Sequence, residues 1–264
     1  MEPIILESFV DCHSHIDQFD QYEISDILQR AKTNNVNYIV SAGVTLDSSA
    51  ECIRLSQIYP EIIAGVGIHP MDLNGGLSDK NHMSLMRLLE NKEVKCMSEI
   101  GLDYPTNSTS IEKQFEAFRI QINLAKDFQI PIVFHCREMP NQNEQIIECL
   151  KVLKQEKAWK VGGAWHYFQG DINLAKECID MGFRISIGKP LLRLSELQLT
   201  IKNINLKDIL LETDSFPQPF KKRRDKWTEP KDVFEIARKI SEIQSIDIKT
   251  VAKITTSNFF DMIN

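Results

Sequence analysis

Eight short segments rich in β-branched and aromatic residues recur along this chain, each followed by a stretch with helical apolar spacing. They lie near Phe9–His13, Asn37–Gly43, Ile62–Gly67, Val94–Gly101, Pro131–His135, Val161–His166, Phe183–Gly188 and Asp208–Glu212. Between them Glu23–Asn34, Asp47–Tyr59, His82–Asn91, Ile111–Phe128, Gln142–Glu156, Asp171–Met181 and Ser195–Ile204 carry helix-like patterning, and Pro230 opens a terminal helical region. Within 111–128, Phe115, Phe118, Ile122 and Ala125 recur at spacings of three and four, which turns one stripe inward. Repeated strand-to-helix order implies parallel strands with right-handed crossovers. Eight such units close into an α/β TIM (β/α)₈ barrel, and 264 residues suit a single domain of that kind. An open doubly wound sheet is the competing architecture. Against it, the chain has no GxGxxG or GxxxxGK[ST] phosphate loop, and its polar candidates end many strands instead of meeting at one switch point.

Those polar endings carry the chemistry. Asp11-Cys12-His13-Ser14-His15, Glu99, His135, His166 and Glu212-Thr213-Asp214 each follow an apolar run. A parallel barrel gathers the carboxyl ends of its strands into one mouth, so groups remote in sequence converge there. Strand alternation puts His13 and His15 on one face with Asp11, and turns Cys12 the other way as a buried spacer. Glu99 interrupts the apolar run Val94–Ile100, where a buried carboxylate needs a cation, a metal or donors to compensate it. Its two oxygens can bridge two cations; a salt bridge to a basic neighbour is the plainer alternative. His135 and His166, either of which alone reads as a hydrogen-bonded core histidine, join the set through their shared place at strand ends. Asp214 is the candidate for proton transfer, while Glu212 is assigned to the opposite face with a structural role.

Composition narrows the setting. A charged fraction of 26% and a hydrophobic fraction of 42% are ordinary for a globular protein. A net charge of −6 leaves nucleic-acid attraction to a local basic patch instead of the whole molecule. Six scattered cysteines without a CxxC pair fit reduced thiols. Met1–Phe9 has neither the cationic start nor the apolar core of a signal peptide, and no long uninterrupted apolar run occurs, so a cytoplasmic protein without a membrane span is expected.

With these motifs assembled, the chain resembles the TatD-like metal-dependent hydrolases, deoxyribonuclease relatives within the amidohydrolase superfamily. The resemblance runs through Val10–Asp17, Gly67-Ile68-His69-Pro70, Glu99–Tyr104, His135-Cys136-Arg137, His166–Gly170, Leu211–Asp214 and Glu229-Pro230. It implies a TIM barrel over residues 1–264, a binuclear divalent-metal site (Mg²⁺, Mn²⁺ or Zn²⁺) and hydrolysis of phosphodiester bonds, typically in DNA. His13, His15, Glu99 and Asp214 would hold one metal and Glu99, His135 and His166 the other, with Asp214 also assisting the attacking water. Ser98, Gln169 and Phe216 depart from the family pattern without removing a ligand.

Three residues are candidates for substrate contact. Arg137 could clamp a phosphate oxygen, or form a rim salt bridge. His69 could orient substrate or protonate a leaving group, or cap the rim. Tyr104 could stack on a base, or pack under a loop. Lys221-Lys222-Arg223-Arg224 could follow a nucleic-acid backbone, or be a solvated charge run. The expected activity is exonucleolytic removal of nucleotides from single-stranded or frayed DNA ends by a metal-activated water. Hydrolysis of an ester or amide, including aminoacyl-tRNA deacylation, is an alternative, as is a partner protein whose metal site organises an interface.

Overall fold

The computed structural model describes residues 8–73, 75–104, 109–137 and 144–264. Eight parallel strands form one sheet in sequential order: β1 Phe9–Ser14, β2 Val36–Ala42, β3 Ile62–Val66, β4 Val94–Asp103, β5 Ile132–Arg137, β6 Gly163–Trp165, β7 Phe183–Ile187 and β8 Ile209–Leu211. The helices are α1 Gln21–Thr33, α2 Leu46–Ile58, α3 Asp79–Leu89, α4 Ile111–Asp127, α5 Glu144–Gln155, α6 Ile172–Asp180, α7 Ser195–Lys202, α8 Val233–Gln244 and α9 Ile248–Ile263. This is the (β/α)₈ barrel expected from the alternation. Several helices start where the sequence offers an oxygen cap: Thr45, Ser78, Asp171 and Asp247 each accept an amide from the first turn. Pro230 opens only a short 3-10 turn, and the terminal helical region divides in two because Ser245 takes a left-handed conformation and Asp247 caps a new helix. Among the described residues no helix is long and apolar enough to cross a membrane.

Two apolar layers set the orientation of each strand. The outer layer joins helix residues such as Ile24, Leu85, Phe118 and Ile236 to Phe9, Met97, Ile100, Phe134, Ile185 and Leu211 of the sheet. A second cluster draws Val10, Cys12, Val40, Cys96, Val133, Ala164 and Leu210 from six strands around the sheet, so it fills the barrel interior; Phe259 and Met262 of α9 pack against it. Simple alternation carries this interior phase from Val133 to His135, from Ala164 to His166 and from Leu210 to Glu212. Besides register shifts at Phe9/Val10 and Ala64/Gly65, it fails in two places near the site. Register shifts fall between Asp11 and Ser14 in β1 and between Met97 and Ile100 in β4, where both residues face the helices although three apart. His13 and Glu99 lie inside these irregular stretches. Gly101 follows at φ 149°, and a Cβ there would lie 1.9 Å from the His135 carbonyl oxygen, so only glycine lets β4 approach β5 here.

The barrel closes through the segment beyond β8. Asp214 N donates to His13 O at 2.9 Å, and His15 N donates to Ser215 O at 2.8 Å. Asp11, fully buried, fastens this seam: its carboxyl accepts from Thr213 N at 2.9 Å and from Thr213 Oγ1 at 2.5 Å. Asp11 therefore belongs to the seam and does not share the histidines' face, a correction that follows from the β1 register shift. Truncation in Asp11→Ala leaves two buried donors without an acceptor and is expected to cost about 2–4 kcal/mol of unfolding free energy. Urea titration of metal-free protein measures this; a loss below about 0.5 kcal/mol, the scatter of surface substitutions, would contradict the seam's role.

Candidate metal centre

Five of the chain's six histidines meet one carboxylate at the carboxyl ends of the strands. The Glu99 oxygens divide them. Oε2 lies 3.3 Å from His13 Nε2 and 3.6 Å from His15 Nε2, whereas Oε1 lies 3.0 Å from His135 Nδ1, 3.2 Å from His166 Nε2 and 3.7 Å from His69 Nε2. Asp214 approaches the first group, with Oδ1 3.3 Å from His15 Nε2. The closing seam puts it there, in a left-handed conformation at φ 51° that aspartate tolerates better than most residues. The six residues His13, His15, Glu99, His135, His166 and Asp214 thus converge from β1, β4, β5, β6 and the two segments that close the barrel.

A further set of carboxylates and carbonyls aims the imidazoles. His15 Nδ1 lies 3.0 Å from Ala42 O, which directs Nε2 to the centre. Asp103, buried at the end of β4, lies 3.1 Å from His135 Nε2. Glu212 lies 3.1 Å from His166 Nδ1 and also accepts from Tyr167 N and Ser186 Oγ. Glu212 therefore faces inward, not outward: it shares the phase of Leu210 and stands two residues from Asp214, so alternation applied from the interior cluster would have found it. Asp103 gives a weaker signal, a carboxylate four residues past Glu99 on the same strand.

Electrostatics bind the cluster together. Burial disfavours a charged Glu99, but the surrounding imidazoles, His166 and His69 foremost, hold its carboxyl well below the usual range. Burial likewise opposes charge on Asp214, and its bond to His15 outweighs that and lowers it to about 2. Against burial, Asp214 and Glu99 raise His15 to about 9; Glu212 and Glu99 raise His166, and Asp103 and Glu99 raise His135. Burial dominates elsewhere, lowering His13 and taking His69 to about 3.

This donor set fits a divalent cation. Fully buried His13 has no hydrogen-bond partner at Nδ1, and its Nε2, 3.3 Å from Glu99 Oε2, makes no well-directed bond; its ring stacks on His166 with centroids 3.6 Å apart. Orphaned imidazole nitrogens beside ionised carboxylates are what nitrogen and oxygen coordination satisfies. His13, His15 and Glu99 form one group whose ligand atoms lie within 4.8 Å of one another; Glu99, His135 and His166 form a second.

The candidate substrate residues stand at the rim. Arg137, half exposed, pairs with Asp103 at 3.2 Å, so the rim salt bridge exists and leaves part of the guanidinium to solvent. His69 Nδ1 accepts from Met71 N at 3.1 Å, capping a short turn, while Nε2 faces Glu99. Tyr104 packs, partly buried, against the outer core. In the basic run, Arg223 pairs with Asp225 and Arg224 is held by Glu23 and Glu229 over the Trp227 ring, leaving Lys222 exposed.

A histidine–carboxylate mouth on a (β/α)₈ barrel defines a metal-dependent hydrolase. The family model described as TatD related DNase matches residues 10–264, and the chain belongs to that family. The metal-dependent hydrolase YabD of Bacillus subtilis is 31% identical over 94% of this chain and 96% of its own. The human deoxyribonuclease TATDN3 is 28% identical over 94% of this chain and 92% of its own. In fold the chain is similar to YjjV, a TatD homologue from Escherichia coli, with a TM-score of 0.87 and 24% identity over 98% of this chain and 99% of that one.

The opposed imidazole shifts predict a stability optimum for metal-free protein. His15, His135 and His166, raised in the fold, give stability that is complete below the free imidazole value of about 6.5 and is lost as pH rises toward their folded values, about 9 for His15. His13 and His69, lowered in the fold, cost stability as pH falls below about 6.5, because unfolding frees them to bind protons. Melting temperature in chelator should therefore peak near neutrality and fall on both sides. A melting temperature still climbing through pH 9 would sink this account.

Proposed function

We propose that this chain is a phosphodiester hydrolase of DNA that uses two divalent cations and removes nucleotides from single-stranded or frayed ends. The observation that carries the reading is the division of Glu99, one oxygen toward His13 and His15 and the other toward His135 and His166. A carboxylate disposed in that way suits a bridging ligand. His13, His15, Glu99 and Asp214 would hold one cation and Glu99, His135 and His166 the other. Imidazole favours zinc or other transition ions, and the carboxylates also suit magnesium or manganese. Bound there, the cations would lower the pKa of a water and neutralise charge on the phosphate.

The chain's own groups complete the chemistry. Asp214 stays ionised and is partly open to solvent, so it can accept the proton of the attacking water. The exposed part of Arg137 can hold a phosphate oxygen, with Asp103 fixing its direction. His69, its Nδ1 occupied as an acceptor, carries its proton on Nε2 and offers a donor to the leaving oxygen. A mouth surrounded by loops admits a strand end more readily than a continuous duplex, which favours end-directed cleavage. A cytoplasmic setting accords with six free cysteines.

Metal-stripped protein resupplied separately with magnesium, manganese or zinc should convert end-labelled single-stranded DNA to a ladder. Asp214→Asn should slow this by about 10²–10⁴-fold, the usual contribution of a positioned general base. No cleavage with any of the three metals would turn the search toward ester or amide substrates. Glu212→Gln and Asp103→Asn, which release His166 and His135, should each weaken metal affinity by about 10–100-fold. Calorimetric titration checks this, and unchanged affinity in both variants would remove these carboxylates from the centre.

A further inference from the structure

Beside the histidine cluster lies a cavity of about 450 Å³ whose wall contains Arg137 and, on either side of His166, Trp165 and Tyr167. That volume falls within the range of small-molecule sites, roughly 300–1,000 Å³. We propose that this cavity takes the base of the terminal nucleotide and prefers a base bearing an exocyclic amino group. The inference rests on the phosphodiesterase reading and deepens it.

The cavity's lining combines charged and polar groups with aromatic and aliphatic ones. Arg137, the last residue of β5, supplies a cation for phosphate. Trp165, Leu174 and the Tyr167 ring supply apolar surface, which suits a planar base. The Tyr167 ring is fixed in place: its amide donates to Glu212, and the ring lies so close to Gly188 that a Cβ there would be 2.9 Å from it. Away from β5 in the chain, Glu196 in the first turn of α7 and exposed Gln169 also line the cavity, as does Asp171, whose Oδ1 already caps α6. A carboxylate repels phosphate, so the charged part of a nucleotide stays at Arg137 and the base points toward Glu196. Carboxylate oxygens accept from the cytosine amino group, and a glutamine amide matches the adenine N6–N7 edge. Thymine presents a carbonyl oxygen, O4, where those bases present the amine, so at that position Glu196 faces an acceptor instead of a donor.

The test uses oligonucleotides of one sequence that differ only in the terminal unit: dC, dA, dT or a tetrahydrofuran abasic residue, placed in turn at the 5′ and 3′ ends. At the end the enzyme attacks, kcat/KM for dC and dA should exceed that for dT by about tenfold, the ratio expected of one hydrogen bond to a charged group. The abasic end should be slowest. Glu196→Leu, which leaves no acceptor for the amine, should bring dC down to the dT rate, and Gln169→Leu should do the same for dA, with the abasic rate unchanged in both. Equal parent rates on abasic, dT and dC ends would overturn the proposal, as would variants that slow the abasic end as much as the others. Absence of cleavage at every end would instead overturn the phosphodiesterase reading, and the base pocket with it.

Discussion

One buried carboxylate organises the active face. Glu99 is 5% exposed and is surrounded by five imidazoles, so its charge is tolerable only because that ring of nitrogens faces it. Regular strand geometry does not deliver this arrangement. In β4 the interior phase runs through Cys96, and Met97 and Ile100 both face the helices, so the strand slips its register to bring Glu99 inward. β1 slips in the same way between Cys12, in the interior cluster, and His13. Irregularity at two strands and glycine at 101 are what the convergence costs, and the surrounding apolar layers hold them in place.

The same logic couples closure of the barrel to the chemistry. β8 is short, and the last gap is spanned by backbone bonds from Asp214 to His13 and from His15 to Ser215. Asp214 thus gains its position from the seam that closes the sheet, and Asp11 tightens that seam from a place where it touches no imidazole of the cluster. A disturbance of barrel closure at this point would move Asp214 relative to the histidines.

Much of this was legible in the chain. The eight strands and their order followed from the alternation of β-branched runs with helical spacing, because each βα unit must bury one face on the next. His135 and His166 sit at strand ends in phase with Val133 and Ala164, so periodicity alone aims them inward. Other features depend on information that periodicity does not carry. The slips in β1 and β4 are set by contacts between strands remote in sequence, which is why Asp11 was expected on the histidines' face. Glu212 was placed outward although it keeps the phase of Leu210. The basic run at 221–224 looked uniform as sequence, yet Glu23, Glu229 and Asp225 engage two of its four members across the loop.

The molecule separates two kinds of specificity by rigidity. Metal-facing groups stand on strands or on the hydrogen-bonded seam, with imidazole directions fixed by Ala42, Asp103 and Glu212. Groups facing the neighbouring cavity, Gln169 and Glu196, stand on the β6–α6 connection and the first turn of α7, and both are exposed. A change there alters the lining of the cavity and leaves the groups that aim the imidazoles in place. Tyr167 is the exception, since its amide bonds the carboxylate that aims His166 while its ring walls the cavity. Through that residue the wall of the cavity and the carboxylate that faces His166 belong to one hydrogen-bonded unit.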